Sequence, residues 1–203
     1  MNKRIAITVD ARPPPRYHLC MKTADTDLVI VPGLGGPHPD HWQSRWGARL
    51  STARHVEQED WHAPHPDAWS GRIAAAVAEA TRPVVILAHG LGAVATVRAA
   101  PSFADGVVRG AFLVAPIDAE RPDLDRHVRA FSPLPRGKLA FPALLVASRN
   151  DPFCAYDRAE DFARSWGAEL VDAGEAGRLD GESGHGPWPE GLMRLAGFMK
   201  TLS

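Results

Sequence analysis

The chain has 203 residues, 23 Lys+Arg against 24 Asp+Glu, 45% hydrophobic residues and a formal net charge of -1. At roughly 150 residues per domain this is one domain, long enough to bury about 70% of the unfolded chain's surface without a disulfide or metal staple. The apolar content excludes wholesale disorder, the near-neutral charge argues against nucleic-acid or membrane-surface partners, which need a basic patch, and two cysteines, Cys20 and Cys154, are too few for a secreted disulfide scaffold.

No run reaches the roughly 18 apolar residues that span a bilayer. Near the N-terminus Ile5-Ala6-Ile7 is too short for a signal-peptide core, and Arg12-Pro13-Pro14-Pro15-Arg16 follows it. The expected compartment is therefore the cytoplasm. Met21 offers an internal start, so residues 1–22 read as an N-terminal extension, a strand or a disordered stretch, ahead of a single domain over 23–203.

The domain alternates short apolar runs with amphipathic stretches. Leu28-Val29-Ile30-Val31 reads as a buried strand ended by Pro32-Gly33. A helix over 40–50 follows, with Trp42, Trp46 and Leu50 at helical spacing. A weak strand is expected around Val56 and an Ala-rich helix over 69–80. Pro83 to Ala88 is the clearest buried strand; it runs through His89-Gly90-Leu91-Gly92 into a helix over 93–100. Val107 to Ala115 is a further strand, Ala119 to Phe131 a charged surface helix, and Pro142 to Ala147 a strand. Tyr156 to Trp166 is a helix, Glu169 to Val171 a short strand, and Glu190 to Leu202 a closing helix. This order predicts an α/β fold, a mostly parallel central sheet with helices on both faces and no large lid.

In such sheets ligands sit at the carboxyl ends of the strands. Three strand ends stand out: Pro32-Gly33-Leu34-Gly35-Gly36, Ala88-His89-Gly90-Leu91-Gly92 and Ser148-Arg149-Asn150-Asp151-Pro152. The middle one has the strand–sharp turn–helix form of a nucleophile elbow, with small residues where strand and helix approach. Leu34 and Leu91 are placed to give two backbone N–H groups to an oxyanion, and Asp151 stands where a triad acid belongs in this chain order.

On these motifs, together with Asp40-His41-Trp42-Gln43, Asp60-Trp61, Leu113-Val114-Ala115-Pro116, Glu182-Ser183-Gly184 and Trp188-Pro189-Glu190-Gly191, the chain resembles the retinoblastoma-binding-protein-9-like small serine hydrolases of the α/β-hydrolase superfamily from about Leu28 to Leu202. The resemblance implies hydrolysis of esters or amides by a Ser–His–Asp triad with no cofactor. It also implies a serine where this chain has Gly90 and a histidine where it has Arg178; of the three positions only Asp151 keeps its residue. Glycine has no nucleophile, and a guanidinium stays protonated and cannot act as a base. A degenerate triad is the expectation, with Gly90 a relaxed turn and Arg178 paired with Asp151. The expected ligand is a small, anionic molecule held by Leu34, Leu91, Arg178 and His89, or a substrate of a reaction without an acyl-enzyme, such as cyclisation, elimination or water addition. Two alternatives stand beside it: a weak esterase or amidase with His185 as replacement base beside Asp151, and a non-catalytic interaction module. His38, His41, Trp61, His62 and Trp188 are candidate pocket walls. The His38-x-x-His41 and His62-x-x-His65 spacings carry prolines and read as loops, so no metal is expected. Oligomeric state has no signature in the sequence.

Overall fold

The computed structural model describes residues 21–202; residues 1–20 of the expected extension lie outside the described residues. Six strands form one parallel sheet: β1 (Asp27–Val31), β2 (Ala53–His55), β3 (Val84–His89), β4 (Val108–Val114), β5 (Ala143–Ala147) and β6 (Glu169–Asp172). Their order is β2-β1-β3-β4-β5-β6. The chain therefore moves outward from β1 in one direction to β2 and in the other to β3, and a crevice opens between β1 and β3 at their carboxyl ends.

The alternation along each strand builds two cores. Val29, Val31, Ile86, Ala88, Leu113 and Leu145 face α2 (Pro66–Ala78), α3 (Leu91–Ala99) and α5 (Tyr156–Trp166). Leu28, Ile30, Val85, Leu87, Phe112 and Val146 face α1 (Trp42–Gly47) and α6 (Pro189–Thr201). Strands buried on both faces read as continuous apolar runs, which is why β1, β3 and β5 were plain in the sequence. In α2, Pro66 takes the first helical position, three residues earlier than the apolar spacing suggests; proline fits there because its missing N–H would have no acceptor.

The stretch Ala119–Phe131 departs from the expected helix. It contains only α4 (Arg126–Arg129), capped by the Asp125 carboxylate on the His127 N–H at 2.8 Å. Pro122 interrupts helical bonding, and the acidic residues at its start serve tertiary ion pairs instead. Arg158 Nε donates to buried Asp118 at 3.0 Å, and Arg158 Nη2 donates to Glu120 at 2.7 Å. These pairs fasten the excursion to α5 and set one wall of the crevice. Among the described residues no helix is long and apolar enough to cross a membrane.

Candidate functional site

β3 ends at His89 and α3 begins at Leu91, so Gly90 alone makes the turn, at φ 57° and ψ -124°. That conformation is costly for any residue with a side chain. A Cβ on Gly90 would meet only Gly33 Cα at 3.9 Å and Ile117 Cδ1 at 4.0 Å, ordinary contact distances. Gly92 has no such room: a Cβ there would stand 2.4 Å from the Pro32 carbonyl oxygen. The elbow thus combines an open position 90 with an obligatory glycine two residues on.

The Gly33-Leu34 turn packs against the elbow; a Cβ on Gly33 would lie 3.6 Å from Leu91 N. Gly35 N–H donates to the Trp61 carbonyl at 3.0 Å and Gly36 N–H to Gly33 at 3.1 Å, while the Leu34 N–H has no acceptor among the described residues. Leu91 opens a helix, where N–H groups have no intrahelical acceptor. Leu91 thus follows Gly90 directly, and the Gly33-Leu34 turn packs against the same elbow. Trp61 supports this turn from behind, its ring against Gly36, and packs edge-on to Trp69 at 5.6 Å.

Gln43, which the sequence offered only as part of a motif, ties the crevice shut at its base. Its Nε2 donates to the carbonyls of Val31 at 3.0 Å and Leu87 at 2.9 Å, the ends of β1 and β3, where diverging strands leave carbonyls to satisfy. The preceding His41 caps α1, its Nδ1 accepting from the Gln43 N–H at 3.2 Å. That bond places the His41 proton on Nε2, which is buried without a partner. His89 Nε2 donates to the Arg178 carbonyl at 2.8 Å, since a carbonyl only accepts. The two rings meet edge-on with centroids 4.6 Å apart. Burial lowers the His41 pKa to about 3 and the His89 pKa to about 4, so both are neutral imidazoles near pH 7.

The loop bearing Arg178 is pinned along its length. Asn150 Oδ1 accepts from the Gly177 N–H at 2.7 Å, Ser183 Oγ from the Arg178 N–H at 3.1 Å, and the Leu179 carbonyl from Trp42 Nε1 at 3.0 Å. The Arg178 side chain corrects one expectation. Its ion-pair partner is Asp180, at 3.5 Å, and its guanidinium lies over the Phe153 ring at 4.6 Å; no ion pair with Asp151 forms among the described residues. Burial opposes the Asp180 charge, but the Ser183 hydroxyl and N–H and Arg178 outweigh it and lower its pKa. Asp151, with one oxygen accepting from the Phe153 N–H at 2.8 Å, has its pKa raised to about 6 by burial.

Two adjoining cavities occupy the crevice. The polar one, of about 410 Å³, is lined by the Gly33–Gly36 turn, His38, Asp40, His41, Gln43, His89, Arg178, Asp180 and Glu182. The apolar one, of about 270 Å³, is lined by Leu34, His62, Ile117, Leu124, Val128 and Phe153 with Asp125 and Arg178. Leu34, Gly35 and Arg178 belong to both. The candidate wall residues His38, His41 and His62 thus line the crevice. Trp188 and His185 do not. Trp188 is buried in the core, stacked on Trp46 at 5.8 Å. His185 sits edge-on to Trp188 at 6.2 Å and lines neither cavity. Cys154 is buried and its thiol is pushed up to about 12 by that burial, which leaves no thiolate for nucleophilic attack. Among the described residues no group of three His, Cys, Asp or Glu side chains could hold a metal ion. Asp40, Asp180 and Glu182 were not singled out from the sequence as site residues; the spacing of Asp180 from Arg178 was the available signal.

The family model "Serine hydrolase" matches residues 28–197. A YdeN-like hydrolase from Pectobacterium atrosepticum is 35% identical, with a TM-score of 0.78 over 88% of this chain and 93% of that one. The ydeN gene product of B. subtilis shares the fold at 17% identity, with a TM-score of 0.73 over 86% of this chain and 98% of that one. A hydrolase of the α/β superfamily from Xanthomonas campestris shares it at 15% identity and a TM-score of 0.62, over 90% of this chain and 100% of that one. No curated protein matches. The chain belongs to the serine hydrolase family of the α/β-hydrolase superfamily.

Proposed function

We propose that this chain is a member whose crevice holds a small ligand by a carbonyl oxygen at the Leu34 and Leu91 N–H groups and forms no acyl-enzyme. The observation that carries the reading is Gly90: the strand–turn–helix elbow is there but has no side chain to attack with. Arg178 cannot accept a proton, so a Ser–His–Asp cycle has neither nucleophile nor base. Chemistry compatible with the site needs only electrostatic help and one proton transfer, as in cyclisation, elimination or water addition. Asp151, its carboxyl raised to about 6 by burial, lines neither cavity and has no part in that step. The cytoplasmic setting belongs to the same reading.

The charge balance favours a neutral carbonyl over the anion expected from the sequence. Arg178 already shares its charge with Asp180, and Asp40, Asp180 and Glu182 line the same cavity. A second reading, slow hydrolysis by bound water, draws support from the two surviving donors, since such donors and binding alone leave about 10³–10⁴-fold acceleration in enzymes stripped of a triad.

The test is fluorophosphonate labelling and p-nitrophenyl ester hydrolysis, on this chain and on a Gly90→Ser/Arg178→His double variant. Only the double variant is expected to label and to show burst kinetics. Labelling of the unaltered chain, with rapid ester turnover, would overturn the proposal.

A further inference from the structure

The two cavities differ in chemistry and meet at the elbow. The smaller one is walled mainly by Ile117, Leu124, Val128 and Phe153, with Asp125 and Arg178 at its border. Its 270 Å³ has room for a short acyl chain, since about 10–15 Å³ of such space already holds a water molecule. In the larger cavity, Asp40 is neutralised by Arg45 at 2.7 Å and Asp180 by Arg178. Glu182 is exposed and pairs with nothing among the described residues, and the His41 and His89 imidazoles are uncharged near pH 7. Of the three carboxylates that line that cavity, Glu182 is the one without an ion-pair partner among the described residues.

Building on the carbonyl-binding reading, we infer that the ligand is an N-acyl amine: an acyl tail in the apolar cavity, its carbonyl at the Leu34 and Leu91 amides, and a cationic amine head beside Glu182. The geometry lets one molecule span both cavities, because Leu34, Gly35 and Arg178 border each and position 90 lies between Gly33 of one wall and Ile117 of the other. The guanidinium of Arg178 is held over Phe153, so it forms the partition and not the anchor.

The test is calorimetric binding of N-(2-aminoethyl)hexanamide, N-(2-aminoethyl)acetamide and hexanoylglycine to the full chain, with two variants. The aminoethyl hexanamide binds best. Each methylene of the tail tightens binding by about threefold to fourfold, the transfer preference of a buried CH₂. The amine head beats the carboxylate head by a few-fold at low salt, in the range of one exposed charge pair. Glu182→Gln, an exposed change, removes the head preference and keeps the tail dependence. Leu124→Trp fills the apolar cavity and removes the tail dependence while keeping the head preference. Hexanoylglycine binding as tightly as the amine, the absence of a tail effect, or no binding by any probe would each overturn the inference. Release of free amine or fluorophosphonate labelling during the same experiment would instead sink the absence of an acyl-enzyme, and leave the ligand class standing.

Discussion

Gly90 sits at φ 57°, where a residue with a side chain pays about 1–3 kcal/mol of backbone strain. No neighbour obstructs a side chain there, so Gly90→Ser is expected to fold and to lose stability by about that amount in denaturant unfolding. A loss above about 4 kcal/mol would mean that the elbow is not the turn described. The expected pairing of Arg178 with Asp151 failed at the same scale. Both carboxylates were within reach in sequence terms, and the choice was made by the direction of the loop, fixed by Asn150, Ser183 and Trp42. No local pattern announces which of two acids a long side chain will meet.

At the scale of elements, α6 shows how packing overrules propensity. Trp188 adopts a left-handed φ of 41° before Pro189, which turns its indole back into the core among Trp42, Trp46 and Phe112. Gly191 makes room for that ring: a Cβ there would lie 2.2 Å from Trp188 Cδ2. An Ala in a helix is usually worth about 1 kcal/mol over Gly. Here Gly191→Ala is expected to lower stability by about 1–3 kcal/mol, the usual cost of overpacking, or a few degrees in melting temperature. A rise in melting temperature would contradict the packing. The strands and most helices were legible because each reads out a one-dimensional rule, an apolar run or a 3.6-residue spacing. Trp188 and His185 were misplaced into the crevice because the reversal at Trp188 leaves no such trace. The charged stretch before α4 was misread because its acids answer to Arg158, 40 residues away from Asp118.

At the scale of the whole molecule, three buried titrating groups shape its response to pH. The lowered pKa values of His41 and His89 mean that the unfolded chain binds those protons first, so their contribution to stability is lost as pH falls below about 6.5. Asp151 works the other way. Its raised pKa makes the folded chain hold a proton that the unfolded chain has released, so its ionisation costs stability as pH rises from about 4 to about 6. Asp151→Asn is therefore expected to raise the melting temperature at pH 7.5 and to lose that gain by pH 4; an equal gain at both would refute the burial of this carboxyl. The fold was legible as a whole, since the alternation of elements leaves few ways to lay out a parallel sheet. The divided character of the crevice was not, because its walls come from five separate loops. One contact reaches further than its size. His89 grips the loop after β6 through the Arg178 main-chain carbonyl, and the side chain has no share in that bond. The scaffold therefore registers where residue 178 is but not what it is, and a change there from a proton-accepting ring to a permanent cation can alter the reaction without dismantling the architecture that hosts it.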